Sequence, residues 1–313
     1  MRSYHIRTAL YAGLSGLMIS CGAPEASDLS QGTLPDQTTE LTADQVLVLG
    51  DISSNPTEAI EEYQLLADYL SSQLSEVGIE QAKIKIAPDL ETMQTWVANG
   101  EVDLYFDSPY PVMIVSSNTG AQPLLRRWKQ GISEYHSLVF TLNDSGIETA
   151  ADLEGQTIAL ESDFSTSGYM LPLAALKAAD LQLVDLSSET QNLQDSEVGF
   201  IFSEDEGNTV ELILSGEVAA GALDNGTFAK LPEEVRSMMT VIVETETVAR
   251  LVGLAAPNLS AEQTNAIKSL LLEMEESTEG QVVLESFAGT TQFDEFPVEQ
   301  SLERLQDIYN QTL

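Results

Sequence analysis

Gln45-Val46-Leu47-Val48-Leu49-Gly50 is a short apolar run ending at glycine, and the polar turn Ser53-Ser54-Asn55-Pro56 follows it, so the segment reads as a buried strand running into a loop. Beyond the turn, Ala59, Ile60, Tyr63, Leu66, Ala67, Leu70 and Leu74 recur at helical spacing, with acidic residues at the front where the helix dipole favours them. Lys83-Ile84-Lys85-Ile86-Ala87 alternates as a strand, Leu90 to Ala98 suits a helix, and Val102-Asp103-Leu104-Tyr105-Phe106 reads as a further strand. This β-α-β-α-β beat predicts a mainly parallel sheet flanked by helices.

The beat recurs downstream. Ser137 to Thr141, Thr157 to Leu160, Val198 to Phe202 and Ala219 to Leu223 read as strands. Thr149 to Leu153, Tyr169 to Ala179 and Thr209 to Ser215 read as the helices between them. Met239 to Val243 and Leu251 to Ala255 lead back toward the first unit, and helices over Ala261 to Glu276 and Val298 to Tyr309 are expected to complete it. The α/β chain therefore divides into lobe one (45–134 plus 248–313) and lobe two (135–247). Lobes of this kind place a ligand cleft where their strand ends face each other, and close on a small molecule by hinge motion.

The first twenty residues are of another kind. Arg2 and Arg7 mark a charged start, an apolar run follows from Thr8 to Ile19, and Ser20-Cys21 closes it, which is the pattern of a signal peptide over 1–20 and too short for a stable membrane span. Leu17-Met18-Ile19-Ser20-Cys21-Gly22 resembles a bacterial lipobox, with Met18 where leucine is usual, and implies lipidation at Cys21. Cys21 is the only cysteine, so no intramolecular disulfide forms. Residues 22–44 hold neither an aromatic residue nor Lys or Arg, the composition of a flexible tether, so 21–44 is expected to hang the folded part from the membrane.

Removing the leader takes two of the thirteen basic residues and no acidic one, leaving eleven basic against fifty acidic side chains, a formal net of −39. That excludes nucleic acid as a partner and disfavours anionic lipid surfaces, so membrane contact is expected through the lipid alone and the chain is expected to be monomeric. Most of the charge reads as a solvated acidic surface.

Two stretches look like anion-binding helix starts. Ser165-Thr166-Ser167-Gly168-Tyr169 sets three hydroxyls and a glycine in the turn that opens a helix, where orphan N–H groups and about half a positive charge attract an oxyanion. In Phe106-Asp107-Ser108-Pro109-Tyr110-Pro111 a strand ends, Ser108 caps and Pro109 takes the first helical position, with Tyr110 beside it. Each stretch reads equally as a well-capped helix.

Three segments carry a family resemblance: Leu153-Glu154-Gly155-Gln156-Thr157-Ile158-Ala159, the run from Ser165 to Pro172, and Leu214-Ser215-Gly216-Glu217-Val218-Ala219-Ala220-Gly221-Ala222. With Val102 to Phe106 and Ser108-Pro109, they resemble the solute-binding proteins of phosphonate, phosphite and phosphate ABC transporters over roughly residues 45 to 290. The resemblance implies a two-lobed periplasmic-binding-protein (Venus flytrap) fold, a small oxyanion or zwitterion as ligand, a permease in the inner membrane as partner, and a periplasmic or cell-surface location. It implies phosphonate contacts from Ser165, Thr166 and Ser167, and an amino-group contact from Asp224. Ser53, Ser108, Tyr110 and Tyr169 complete the candidate ligand-binding set, together with Glu206. Ten residues before Gly216 the family usually has a histidine where this chain has Glu206, and thirteen before Asp103 it has a tyrosine where this chain has Leu90. Both changes remove partners for a phosphonate.

Glu204, Asp205 and Glu206 form a solvated loop, or turn inward to pair with an ammonium or to donate when protonated; as a metal site they lack the spacing of a calcium loop. Arg126-Arg127-Trp128-Lys129 offsets an anion or pairs with nearby carboxylates, and Arg250 has the same two readings. No catalytic set, metal motif or cofactor motif is found, since His136 is the only histidine after the leader and the Ser165 turn is not a Gly-x-Ser-x-Gly elbow. An enzyme is not expected. A ligand-sensing or interaction module on the same scaffold, or a binding protein for a non-phosphorus solute, is the alternative.

Overall fold

The structure, a computed structural model, describes residues 42, 45–187, 193–295 and 298–310. The expected signal peptide, Cys21 and all of the tether except residue 42 lie outside these or at their edge. The first block runs β1 (Val46–Ile52), α1 (Pro56–Gln73), β2 (Gln81–Ala87), α2 (Leu90–Ala98), β3 (Leu104–Asp107), α3 (Pro109–Thr119) and β4 (Gln122–Lys129). Short β5 (Glu134–Tyr135) leads to β6 (Ser137–Leu142), β7 (Thr157–Leu160), α4 (Leu171–Ala178), β8 (Gln182–Asp185), β9 (Glu197–Phe202) and α5 (Glu206–Ser215). Next come β10 (Ala220–Asp224), α6 (Asn225–Lys230), α7 (Glu233–Arg236), β11 (Met239–Glu244) and short β12 (Val248–Ala249). The chain then makes β13 (Leu251–Ala255), α8 (Ala261–Glu273), α9 (Thr278–Ser286), β14 (Thr290–Asp294) and α10 (Val298–Asn310).

Among the described residues two six-stranded sheets form, ordered β14-β4-β13-β3-β1-β2 and β11-β6-β10-β7-β9-β8. The two crossings between them pair with each other, Tyr135 opposite Val248 and Glu134 opposite Ala249. The expected parallel core is present: β1 pairs in parallel with β2 and β3, and β7 with β9 and β10. Each sheet is nevertheless mixed, because β13 runs antiparallel to β3 and β4, and β6 antiparallel to β10 and β11. The reason lies in the crossings. β4 ends beside the second lobe, so the chain that returns as β13 enters its sheet from that same end and must run the other way. β8 and β14 went unread in the sequence, being short strands at sheet edges with few apolar residues.

Each sheet buries both faces. In lobe one, α1, α8 and α9 cover one face around Leu49, Leu66, Leu125, Leu271 and Phe287, while Met93, Val97, Val112 and Val115 from α2 and α3 pack on the other. In lobe two, Leu173 and Leu176 of α4 and Ile213 of α5 cover opposite faces. Lobe one has an aromatic centre: the Phe287 ring meets Tyr63 at 4.6 Å and Phe106 at 5.5 Å, both edge-on. Arg127 stacks on the same ring at 3.7 Å. The C-terminal helix does more than complete lobe one. Leu305 and Ile308 of α10 pack with Tyr110 and Met113 of α3 and also with Leu171 and Ala174 of α4, so α10 touches both lobes.

Phe287 is fully buried, so Phe287→Ala is expected to destabilise the fold by about 3–5 kcal/mol in denaturant unfolding. A loss below about 1 kcal/mol would show that this ring does not hold lobe one together.

Candidate functional site

The parallel strands of both sheets point their C-terminal ends at each other, and nearly every such end carries a carboxylate. In lobe one, Asp51 lies at the end of β1 and Asp107 at the end of β3. Asp107 accepts from the Ser108 N–H at 2.6 Å and from the Tyr105 hydroxyl at 2.5 Å, so the carboxylate itself satisfies the start of α3. Tyr63 donates to Asp51 at 3.3 Å. Between these groups sits Arg127, only 4% exposed, donating to Thr290 Oγ1 at 2.7 Å and to the Phe287 carbonyl at 2.9 Å. Burial pushes the Asp51 carboxyl up to about 7, aided by the charge of Asp107 and opposed by Arg127. Burial likewise raises Asp107, against the hydrogen bonds it receives.

In lobe two the hydroxyl-rich turn is a widened helical turn, Thr166–Met170, in which Met170 N–H reaches back five residues to the Ser165 carbonyl at 3.0 Å. Such turns recur at functional sites. Ser165 Oγ caps it by accepting from Gly168 N–H at 2.9 Å, and donates its own proton to Glu161 Oε2 at 2.7 Å. Glu161 follows β7 directly and leans over the turn: a Cβ placed on Gly168 would meet its carboxylate oxygen at 2.5 Å, which is why glycine stands there. Thr166, 1% exposed, accepts from the Tyr110 N–H of the opposite lobe at 2.9 Å, so the two expected helix starts touch. Tyr135 hydrogen-bonds with the Thr166 and Ser167 side chains, and Ser137 Oγ donates to the Ser167 carbonyl at 2.6 Å. Burial raises the Glu161 carboxyl, with Asp224 and Asp107 adding to the shift and Ser165 and Arg250 opposing it.

Asp224 ends β10 and caps α6, accepting from Gly226 and Thr227 N–H at 2.8 and 3.1 Å. The Thr227 hydroxyl lies between two carboxylates, 2.7 Å from Asp224 and 3.1 Å from Glu206. Burial works against the ionised Asp224, but Arg250 and the Thr227 hydrogen bonds outweigh it and hold its pKa below the usual range. Glu206 is pushed up by burial and by Asp224, so of this pair Glu206 takes up a proton the more readily. Arg250 lies 3.8 Å from Asp224 and stacks over Tyr135 at 4.3 Å. These groups, with Lys129, Lys230 and Gln130, line a cavity of about 230 Å³. Lys230 donates to Gln130 across the cleft at 2.5 Å. Burial, with Arg127 and Arg250 nearby, lowers the Lys129 ammonium.

Of the residues singled out in the sequence, Glu206 and Asp224 line this cavity. Ser108, Tyr110, Ser165, Thr166 and Ser167 come together at the junction of the helix starts. Tyr169 stacks near Phe202 at 5.6 Å and Tyr110 at 6.4 Å. Ser53 instead holds its own turn, accepting from Asn55 N–H at 3.0 Å. Glu206 turns inward while Asp205 caps α5 through Asn208 N–H at 2.8 Å. The basic cluster splits: Arg126 pairs with Asp294 and Glu134, Arg127 enters the aromatic core and Lys129 faces the cavity. Sequence inspection missed Asp51, Asp107 and Glu161, whose one signal was their place directly at predicted strand ends. Among the described residues no group of three or more His, Cys, Asp or Glu is placed to hold a metal, and no helix is long and apolar enough to cross a membrane.

Two sheets flanked by helices, joined by paired crossings and facing each other at their strand ends, define a two-lobed periplasmic binding protein of type II. The chain belongs to the phosphonate ABC transporter periplasmic substrate-binding protein family, whose model matches residues 52–300. Membership carries a small-molecule ligand, an ABC permease as partner and work outside the cytoplasm. XAC2383 from Xanthomonas citri, solved with chloride, superposes with a TM-score of 0.81 at 26% identity, over 86% of this chain and 98% of that one. Its ATP-bound form gives 0.80 at the same identity and coverage. PhnD1 from Prochlorococcus marinus, in complex with methylphosphonate, shares the fold with a TM-score of 0.64 at 18% identity, over 85% of this chain and 98% of that one.

The buried Asp51 carboxyl gives a pH test. Folding raises its pKa from 3.8 to about 7, so the folded state holds the proton more tightly than the unfolded chain. Its contribution, roughly 4 kcal/mol, is fully present below about pH 4 and is lost as pH rises through about 7. Asp51→Asn is expected to flatten the fall in melting temperature across that window. A slope equal to the parent's would place the titration elsewhere.

Proposed function

We propose that this chain is the lipid-anchored solute-binding component of an ABC importer, capturing a small oxyanion or zwitterion of the phosphonate, phosphite and phosphate class. Of these, the zwitterion fits best. The observation that carries this is the mixed charge of the 230 Å³ cavity, which sets Arg250 and Lys129 beside Glu206 and Asp224. The cations suit a phosphonate group, and the carboxylates an ammonium. XAC2383 has been solved with chloride and with ATP, which supports a ligand carrying negative charge in this one as well.

Lobe one (45–134 plus 248–313) and lobe two (135–247) would rotate about the paired strands β5 and β12, with the junction of Tyr110 and Thr166 marking the closed state. The permease would receive the solute when that junction parts. Cys21 is the proposed lipid attachment site, 21–44 the tether, and the protein works as a monomer without catalysis.

Thermal melts against phosphate, phosphite, simple phosphonates, aminophosphonates and unrelated zwitterions test the ligand class. A solute at about 100 times its dissociation constant should add about 2.7 kcal/mol of stability, and aminophosphonates are expected to give the largest shift. Arg250→Gln is expected to weaken that binding about tenfold or more while the unliganded melt changes little. A shift from another solute class, with none from phosphorus compounds, overturns the ligand class and leaves the fold intact. Cys21→Ser is expected to move the protein from the membrane fraction into the soluble one; retention of the variant on the membrane contradicts the anchor.

A further inference from the structure

The turn expected to cradle an oxyanion is already occupied by a carboxylate of the chain itself. Glu161 Oε2 takes the proton of Ser165 Oγ at 2.7 Å, while Ser165 Oγ itself accepts from Gly168 N–H at 2.9 Å. A serine hydroxyl has one proton to give, so Ser165 has none for a ligand oxygen. Thr166 Oγ1 accepts from Tyr110 N–H, and the Thr166 and Ser167 side chains are joined to Tyr135. Glu161 also packs so closely on Gly168 that no Cβ fits between them. The opposite jaw is arranged alike, for Asp107 takes the Ser108 N–H at 2.6 Å. Asp107, Asp224 and Glu206 all act on or with Glu161 through charge, and Arg250 is the cation that offsets it. A second oxyanion brought to this turn would meet acceptors and like charge.

We propose that Glu161 is the specificity-determining residue of the cleft: its carboxylate, seated on the Ser165–Gly168 turn, stands where a ligand anion would bind and admits a solute that presents an ammonium or guanidinium there, excluding the bare oxyanion. This rests on the transport reading above and narrows it, adding Glu161 to Glu206 and Asp224 as the carboxylates that meet the ammonium. The solute's own anionic group then belongs at the other end of the site, beside Arg250 and Lys129 in the 230 Å³ cavity. A small α-amino or aminoalkyl acid of phosphorus has both features, and phosphate, phosphite and methylphosphonate lack the first.

Isothermal titration calorimetry of the protein with methylphosphonate and with aminomethylphosphonate tests this, since the probes differ by an ammonium group. The parent is expected to prefer aminomethylphosphonate by about tenfold or more. Glu161→Ala clears the turn and frees the Ser165 hydroxyl, so methylphosphonate is expected to bind about tenfold or more tightly than to the parent, and the preference to collapse. Glu161→Gln keeps the shape without the charge and is expected to shift the preference the same way, which covers the case in which the alanine variant folds poorly. If both variants melt like the parent and keep its preference, Glu161 is a local cap and this inference falls while the transport reading stands. A parent that takes methylphosphonate as well as aminomethylphosphonate overturns it equally. If parent and variants bind neither compound, this inference falls, and the transport reading is decided by the thermal melts above.

Discussion

Carboxylates gathered where two lobes meet are the constraint on which the rest of this molecule depends. Asp51, Asp107, Glu161, Glu206 and Asp224 converge at the strand ends, and burial disfavours the charged form of each. The chain answers with donors fixed in the backbone and with a few cations. Helix starts supply N–H groups to Asp107 and Asp224, Tyr63 and Tyr105 supply phenols, and Thr227 supplies a hydroxyl to the last pair. Arg127 could not occupy a hydrophobic core without those charges facing it, and the Phe287 ring that holds lobe one together stacks on its guanidinium.

The same arrangement underlies the proposed departure of this chain from anion binding at one end of its cleft. A helix start attracts negative charge wherever it comes from, and a carboxylate four residues upstream takes the proton of the Ser165 hydroxyl here. The cavity beside it keeps both signs of charge, with Arg250 held between Asp224 and the Tyr135 face. On the proposed reading, recognition depends on where a solute carries its charges more than on how much it carries. Contact between the jaws, from Tyr110 N–H to Thr166 Oγ1, lets the junction form without a ligand oxygen between them.

Much of the fold was legible in the residues. The alternation of β1, α1, β2, α2 and β3 was plain because central strands are continuous apolar runs and their helices keep a 3.6-residue period. The sense of β13 was not, because its direction depends on where the chain re-enters the sheet. The place of α10 was hidden for a similar reason: an amphipathic pattern shows that a helix has a buried face, but not that α3 and α4 share it. Within the site, Glu206 and Asp224 were found through the family resemblance, whereas Glu161 and Asp107 were passed over as ordinary acids among fifty.

By itself the sequence determined the two α/β lobes, the two capped turns and the family, because apolar periodicity and helix-start chemistry are local and survive without coordinates. Only the tertiary structure decided what those turns hold. Hydrogen bonding is a matter of ångströms across chain segments far apart, and only folding brings Glu161 onto Ser165, Thr166 against Tyr110 and Arg250 over Tyr135.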